Sequence, residues 1–305
     1  MRRDQALLLQ TSLPWREFLE LCKPRVVALI IFTAIVGMFL ATPDGVSVGL
    51  FISATLGIGL AAASAAVINH VADHHIDALM ARTKGRPLPQ GQIDKYHALL
   101  LAAVLGIVSM TLLVVFVNAL TAILTLLSLI GYAVIYTLYL KHATPQNIVI
   151  GGAAGAAPPV LGWTAVTAEV DPHALLLFLI IFAWTPPHFW PLAIYRRNEY
   201  AQAAIPMLPI THGVDFTRLQ ILLYTVILMV VSILPFATYM SGFLYLLGAL
   251  GLGGVFLYYA IRMQWDHEDR LALKTFVYSI VYLSGLFFVL LIDHYLPLAC
   301  QILTA

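Results

Sequence analysis

Nine apolar runs, each close to the length a helix needs to cross a bilayer, dominate this 305-residue chain. They fall at about residues 26–42, 48–68, 97–117, 119–140, 148–168, 174–195, 219–239, 241–262 and 275–294. A spanning helix needs about 20 mostly apolar residues. With 61% hydrophobic and only 10% charged residues, the chain lacks the polar surface that a soluble enzyme requires. The sequence predicts an all-α polytopic membrane protein, a nine-transmembrane-helix bundle in which residues 1–305 form a single membrane domain. The lipid bilayer is its first partner.

Charge placement sets the expected orientation. All 16 Lys and Arg fall in the N-terminal segment or in every second connection between runs. Arg82, Lys84, Arg86 and Lys95 lie in the second connection, Lys141 in the fourth, Arg196, Arg197 and Arg218 in the sixth, and Arg262, Arg270 and Lys274 in the eighth. Cationic loops stay on the cytoplasmic side, so the N-terminus is expected in the cytoplasm and the C-terminus across the membrane. A bacterial cytoplasmic (inner) membrane is the expected location. Cys22 and Cys300 then lie on opposite faces and cannot pair. Residues 1–25 read as a cytoplasmic segment with no cleavable signal peptide. The net charge of +1 gives no reason to expect a nucleic-acid partner.

Chemistry must sit in the spans or in the two long cytoplasmic loops, about 69–96 and 196–218, which occupy similar positions after their spans and are expected to cap the active site. If the second helix continues past the membrane, Asn69, Asp73 and Asp77 stand four residues apart on one face, in steps of about 40°. Like charges at this spacing call for a compensating cation. Oxygen ligands without thiolates suit a hard ion such as Mg²⁺, which is commonly held by carboxylates together with substrate phosphates. Arg82, Lys84 and Arg86 follow closely and offer donors to a diphosphate. His70 and His74, with His75 adjacent, give a competing transition-metal pattern on an offset face.

The sixth run ends in Trp184-Thr-Pro186-Pro187-His188-Phe-Trp190-Pro191. Three prolines in six residues are expected to kink or break that helix, turning His188, Trp184 and Trp190 toward a pocket where aromatic walls could meet a large flat ligand. Asn198 and Glu199, beside Arg196 and Arg197, offer a second pair of oxygen ligands.

Asn69-x3-Asp73-x3-Asp77 joined to Arg82-Thr-x-x-Arg86-Pro-Leu-Pro89 resembles the first signature of the UbiA-type intramembrane prenyltransferases. Lys23-Pro24-Arg25, Thr144-Pro-Gln-Asn through Pro158-Pro159, Trp184-Thr-Pro-Pro-His188-Phe-Trp190 and Ile205-Pro-Met-Leu-Pro209 are similar to the haem-farnesylating branch of that family. The match runs from about residue 18 to 210. Two positions depart from the pattern: Asn198-Glu199 stands where a pair of Asp is common, and Ala204 where Gly is usual.

The resemblance implies a nine-helix bundle around a central cavity, with Mg²⁺, farnesyl diphosphate as donor and haem B as acceptor, giving haem O. It casts Asp73, Asp77, Asn69, Arg82 and Arg86 as catalytic. Asp73, Asp77, Asn69, Glu199 and Asn198 become metal ligands, and Arg82, Lys84, Arg86, Arg197 and Lys141 bind diphosphate. His188, Trp184 and Trp190 line the acceptor pocket. Product handover to haem A synthase or to terminal oxidase assembly is a further expected partnership. Two other readings stay open, a UbiA-type enzyme prenylating an aromatic or quinone precursor, and a proton- or cation-coupled transporter using Asp73, Asp77 and His188 as a relay.

Overall fold

In the computed structural model, residues 15–265 and 269–304 are described, with side chains through residue 296. Arg2, Arg3 and the side chain of Cys300 lie outside them, so the expectation about Cys300 does too. Every regular element among the described residues is helical. Backbone groups in hydrocarbon find no water, and only structures that satisfy them internally can cross.

We number the long helices α1 (Pro24–Leu40), α2 (Val48–Leu79), α3 (Lys95–Phe116), α4 (Ala119–Ala143), α5 (Asn147–Thr167), α6 (Pro172–Tyr195), α7 (Val214–Ala237), α8 (Phe243–Arg262) and α9 (Arg270–Thr304). Eight of them, α2 to α9, are long and apolar enough to cross a membrane. The first is shorter: α1 has 17 residues and meets the helix Trp15–Leu21 at 53°. The two together make the ninth candidate span. Cys22 and Lys23 occupy the bend, and Lys23 adopts a left-handed backbone with φ of 49°.

Helices α2, α5 and α6 are the most buried, whereas α3 and α4 turn most of their surface outward. α6 packs against α7, α9 and the first half of α5, and α2 lies along α3. At the crossing of α1 and α5 two glycines allow backbone contact. A Cβ on Gly162 would lie 1.9 Å from the Ala34 carbonyl oxygen, and one on Gly37 would lie 2.1 Å from that of Pro159. Small residues let helices in lipid approach this closely.

The second helix continues past the apolar run to Leu79, the condition on which the acidic ladder rested, so the ladder is helical and residues 80–94 form the loop. One expectation is corrected: α6 is one continuous helix through Pro186, Pro187 and Pro191. Tertiary packing overrides the local cost of proline: Pro186, Pro187 and Pro191 are all buried against neighbouring helices.

The end of α4 has a feature that no run of residues announced. After Ala119–Ile130 the backbone widens into a π-helix over Gly131–Leu140 before closing with Lys141–Ala143. π-helical turns are rare and concentrate at functional sites. Here the widening turns Thr137 and Lys141 toward α2. Gly151 on α5 makes room for the adjoining Tyr136, since a Cβ there would lie 2.2 Å from its ring.

Candidate active site

The site assembles from the C-terminal half of α2, the π-helical end of α4, the bend before α1 and the 80–94 loop. Asn69, Asp73 and Asp77 lie on one buried face of α2, each 4–5% exposed. Asn69 Nδ2 donates to Asp73 Oδ2 at 2.8 Å and to Thr137 Oγ1 at 3.3 Å. The Thr137 hydroxyl in turn donates to the Tyr132 carbonyl at 2.8 Å. The ladder and the π-helix therefore share one hydrogen-bond chain.

Each acid has a resident cation. Lys141 Nζ lies 2.7 Å from Asp73 Oδ2, and Arg86 Nη1 lies 2.6 Å from Asp77 Oδ2. Thr83 Oγ1 donates to the Asp77 carbonyl at 3.0 Å, which folds the loop back so that Arg86 reaches the helix. Lys23 donates through Nζ to Asn69 Oδ1 and forms no ion pair among the described residues. Asp73 Oδ1 is buried with no hydrogen-bond partner. Buried acceptors are seldom left bare.

The sequence reading thus placed Asn69, Asp73, Asp77, Arg86 and Lys141 where the structure brings them together. Others stand apart. The side chains of Lys84 and Arg82 are exposed, although Arg82 offers its backbone N–H to Glu199 Oε2 at 3.4 Å. Glu199 is otherwise held by Arg196 Nη1 at 2.6 Å, and Asn198 is exposed. Arg197 pairs with Asp269. Among the described residues no three His, Cys, Asp or Glu side chains converge to hold a metal. Around this loop, burial raises the Tyr200 phenol above its ordinary pKa.

Missing from the sequence reading were Lys23, Thr137 and the π-helical tyrosines as parts of one site. Lys23 was visible only as part of the Lys-Pro-Arg match. Tyr132 and Tyr136 stack at 5.5 Å and keep partial exposure beside the ladder. His70 is buried on α2 with neither ring nitrogen hydrogen-bonded, whereas the His74 and His75 rings lie 3.6 Å apart, tilted by 46°.

The aromatic group on α6 divides. The His188 ring stacks on Trp184 at 4.1 Å and on Phe276 at 4.7 Å. His188 Nδ1 lies 2.6 Å from Ser279 Oγ, and Trp184 Nε1 donates to the Ser279 carbonyl at 2.8 Å. Trp190 faces another cluster and meets Tyr224 edge-on at 5.3 Å. A continuous helix puts residues 188 and 190 about 200° apart, so Trp190 does not share a wall with the other two. Two apolar recesses, of about 560 Å³ between α2, α3 and α4 and about 500 Å³ between α1 and α9, are lined by none of the acidic residues.

Comparison with known proteins adds a decisive observation: residues 30–291 match the UbiA prenyltransferase family. The chain belongs to this family. A relative in Nitrosococcus oceani, protoheme IX farnesyltransferase, is 62% identical over 283 residues, covering 93% of this chain and 95% of that one. Among solved structures, one described as giving insight into digeranylgeranylglyceryl phosphate synthase in membranes superposes with a TM-score of 0.77 at 18% identity. It covers 92% of this chain and 98% of that one. A UbiA homologue from Archaeoglobus fulgidus bound to GPP and Mg²⁺ superposes with a TM-score of 0.59 at 16% identity, covering 90% and 99%. At these identities the structural likeness establishes the fold. The acid-rich stretch of α2 lies inside the family match.

Proposed function

We propose that this chain transfers the farnesyl group of farnesyl diphosphate to a vinyl group of haem B, with addition of water, giving haem O. The observation that carries the reading is the 62% identity, over nearly the whole chain, to a protein named for farnesylating protoheme IX. The buried acid ladder and its cations supply a means.

The residues fit a divalent cation. Asp73 Oδ1 is a buried, unpartnered carboxylate oxygen, and Asp77 and Asn69 add only oxygen donors, the set that Mg²⁺ favours. In this reading Asp73, Asp77 and Asn69 hold it. When bound, such an ion offsets the negative charge that builds on a departing diphosphate. Arg86 and Lys141 contribute the same stabilisation from fixed positions, where desolvation strengthens it. Arg82, Lys84 and Arg197, nearer the surface, draw the diphosphate toward the mouth.

As the carbon–oxygen bond to diphosphate breaks, an allylic cation is left. Its capture by the vinyl carbon forms the new carbon–carbon bond, and water adds to the resulting haem-side cation with release of a proton. The surrounding apolar helices keep stray water from the first cation. Trp184 and His188 are assigned to the haem-facing wall, with Trp190 supporting α6 behind them. Asn198 and Glu199 are assigned an accessory role at the mouth, short of a second metal site.

The rest of the reading is topological. In it residues 1–305 are one membrane domain, with the N-terminus in the cytoplasm and the C-terminus across a bacterial inner membrane, a reading that the cationic loops support. Haem O then passes to haem A synthase or to terminal oxidase assembly. The test is mass analysis of product from the purified full chain supplied with haem B, farnesyl diphosphate and Mg²⁺. The expected product is haem heavier by one farnesyl group and one hydroxyl group. Unmodified haem together with a prenylated hydroxybenzoate would overturn the assignment in favour of an aromatic acceptor.

A further inference from the structure

The seam between α6 and α9 is closed at two levels. Within the bundle, Trp184 and His188 of α6 meet Phe276 and Ser279 of α9. At the cytoplasmic end of the same seam, Arg197 Nη1 donates to the Asp269 carboxylate. Helix geometry sets the spacing of the two levels. At about 1.5 Å per residue, α6 climbs roughly 10 Å from His188 to its end at Tyr195, and α9 roughly 9 Å from Phe276 back to its start at Arg270. Arg197 and Asp269 stand just past those two ends.

The Arg197 guanidinium is held by one side. Both of its hydrogen bonds leave from Nη1, one to Asp269 and one to the Ile194 carbonyl at 3.2 Å. The opposite edge, Nε with Nη2, has no partner among the described residues, and the side chain is 39% exposed. That edge is the fork through which an arginine grips a carboxylate with two parallel N–H donors. Its neighbours are placed differently: Arg196 is engaged by Glu199, and Arg218 is buried against Asp215 and Asp269. Arg197 therefore presents an open, anchored fork directly above an aromatic stack.

We infer that Arg197 takes a propionate of the haem acceptor, with the porphyrin lying along the α6–α9 seam between this fork and the Trp184–His188 stack. This rests on haem B being the acceptor, as proposed above. Propionates and vinyl groups occupy opposite edges of protohaem, so a propionate held at the cytoplasmic end directs the vinyl edge into the bundle, away from water. The charged edge meets the one side chain able to grip it bidentately, and the apolar body meets rings. Drawing a diphosphate past the mouth leaves Arg197 open again once that group is held at the ladder.

The experiment titrates haem B and its dimethyl ester, whose propionates carry no charge, into the detergent-solubilised full chain and follows the Soret band. The parent chain should bind haem B about tenfold more tightly than the ester, the scale of a charge-assisted hydrogen-bonded contact. Arg197→Gln should lose that preference, binding haem B about tenfold more weakly and the ester as the parent does. Each haem is compared across two proteins, so its own partition into detergent cancels. Arg197→Lys keeps the charge without the fork and should recover part of the preference, and it carries the comparison if Arg197→Gln melts early. A parent chain that binds both haems alike, or a preference that Arg197→Gln retains, would overturn the propionate contact. Farnesylation of the ester by that same parent chain would leave haem standing as acceptor. No saturable binding of either haem, together with no farnesylated haem, would overturn both.

Discussion

Lys141 Nζ and Asp73 Oδ2 lie 2.7 Å apart in a buried ion pair that joins the π-helical end of α4 to the acidic face of α2. The pair links the widest stretch of helix in the molecule to the residue that also leaves one carboxylate oxygen unpartnered. Removing one member of such a pair leaves a charge stranded in low dielectric.

Lys141→Met should therefore lower stability by about 3 kcal/mol and abolish turnover. Adding Asp73→Asn to it should return most of the stability without returning activity. Thermal unfolding of the solubilised variants measures both, and an equally unstable double variant would show that the loss came from packing.

Glycine at the α1–α5 crossing gives a second expectation. A methyl group on Gly162 would lie 1.9 Å from the Ala34 carbonyl oxygen, where only backbone is available to yield. Gly162→Ala should cost about 3 kcal/mol or more, at the upper end for overpacking. Gly155→Ala, where a Cβ meets nothing within 4 Å, should be near neutral. Equal expression and melting temperature in the two variants would contradict the close crossing.

The α6 stack permits a separation of packing from recognition. His188→Phe keeps an aromatic ring between Trp184 and Phe276 but loses the contact with Ser279. It should melt within a few degrees of the parent chain yet show a raised KM for haem B. Unchanged steady-state kinetics would remove His188 from the acceptor wall.

Chelation supplies a further test. Removing divalent cations should stop farnesyl transfer and leave the helical circular dichroism unchanged, because Lys141 and Arg86 continue to neutralise the acids. Melting of the bundle on chelation would mean that metal holds the fold.

The spans were legible because burial in lipid is written as run length, and α2 to α9 follow the hydropathy closely. Asn69, Asp73 and Asp77 were legible as well, since helical spacing alone places them on one face. What the residues did not reveal arises across elements. Lys23 meets Asn69 only because two helices join at 53°, and no local pattern encodes that angle. The π-helix has no signature in Gly131–Leu140, and the prolines of α6 follow local rules that tertiary packing overrides. Glu199 was read as a ligand beside cations, and its pairing with Arg196 is a contact that no sequence pattern specified.

The central claim is that Asp73 carries the metal-dependent step from within a folded bundle. Its most direct test is farnesyl transfer to haem B by Asp73→Ala in membranes, alongside the amount of protein inserted. The account predicts normal insertion with no detectable haem O. Haem O formed at the parent rate by that variant would contradict it.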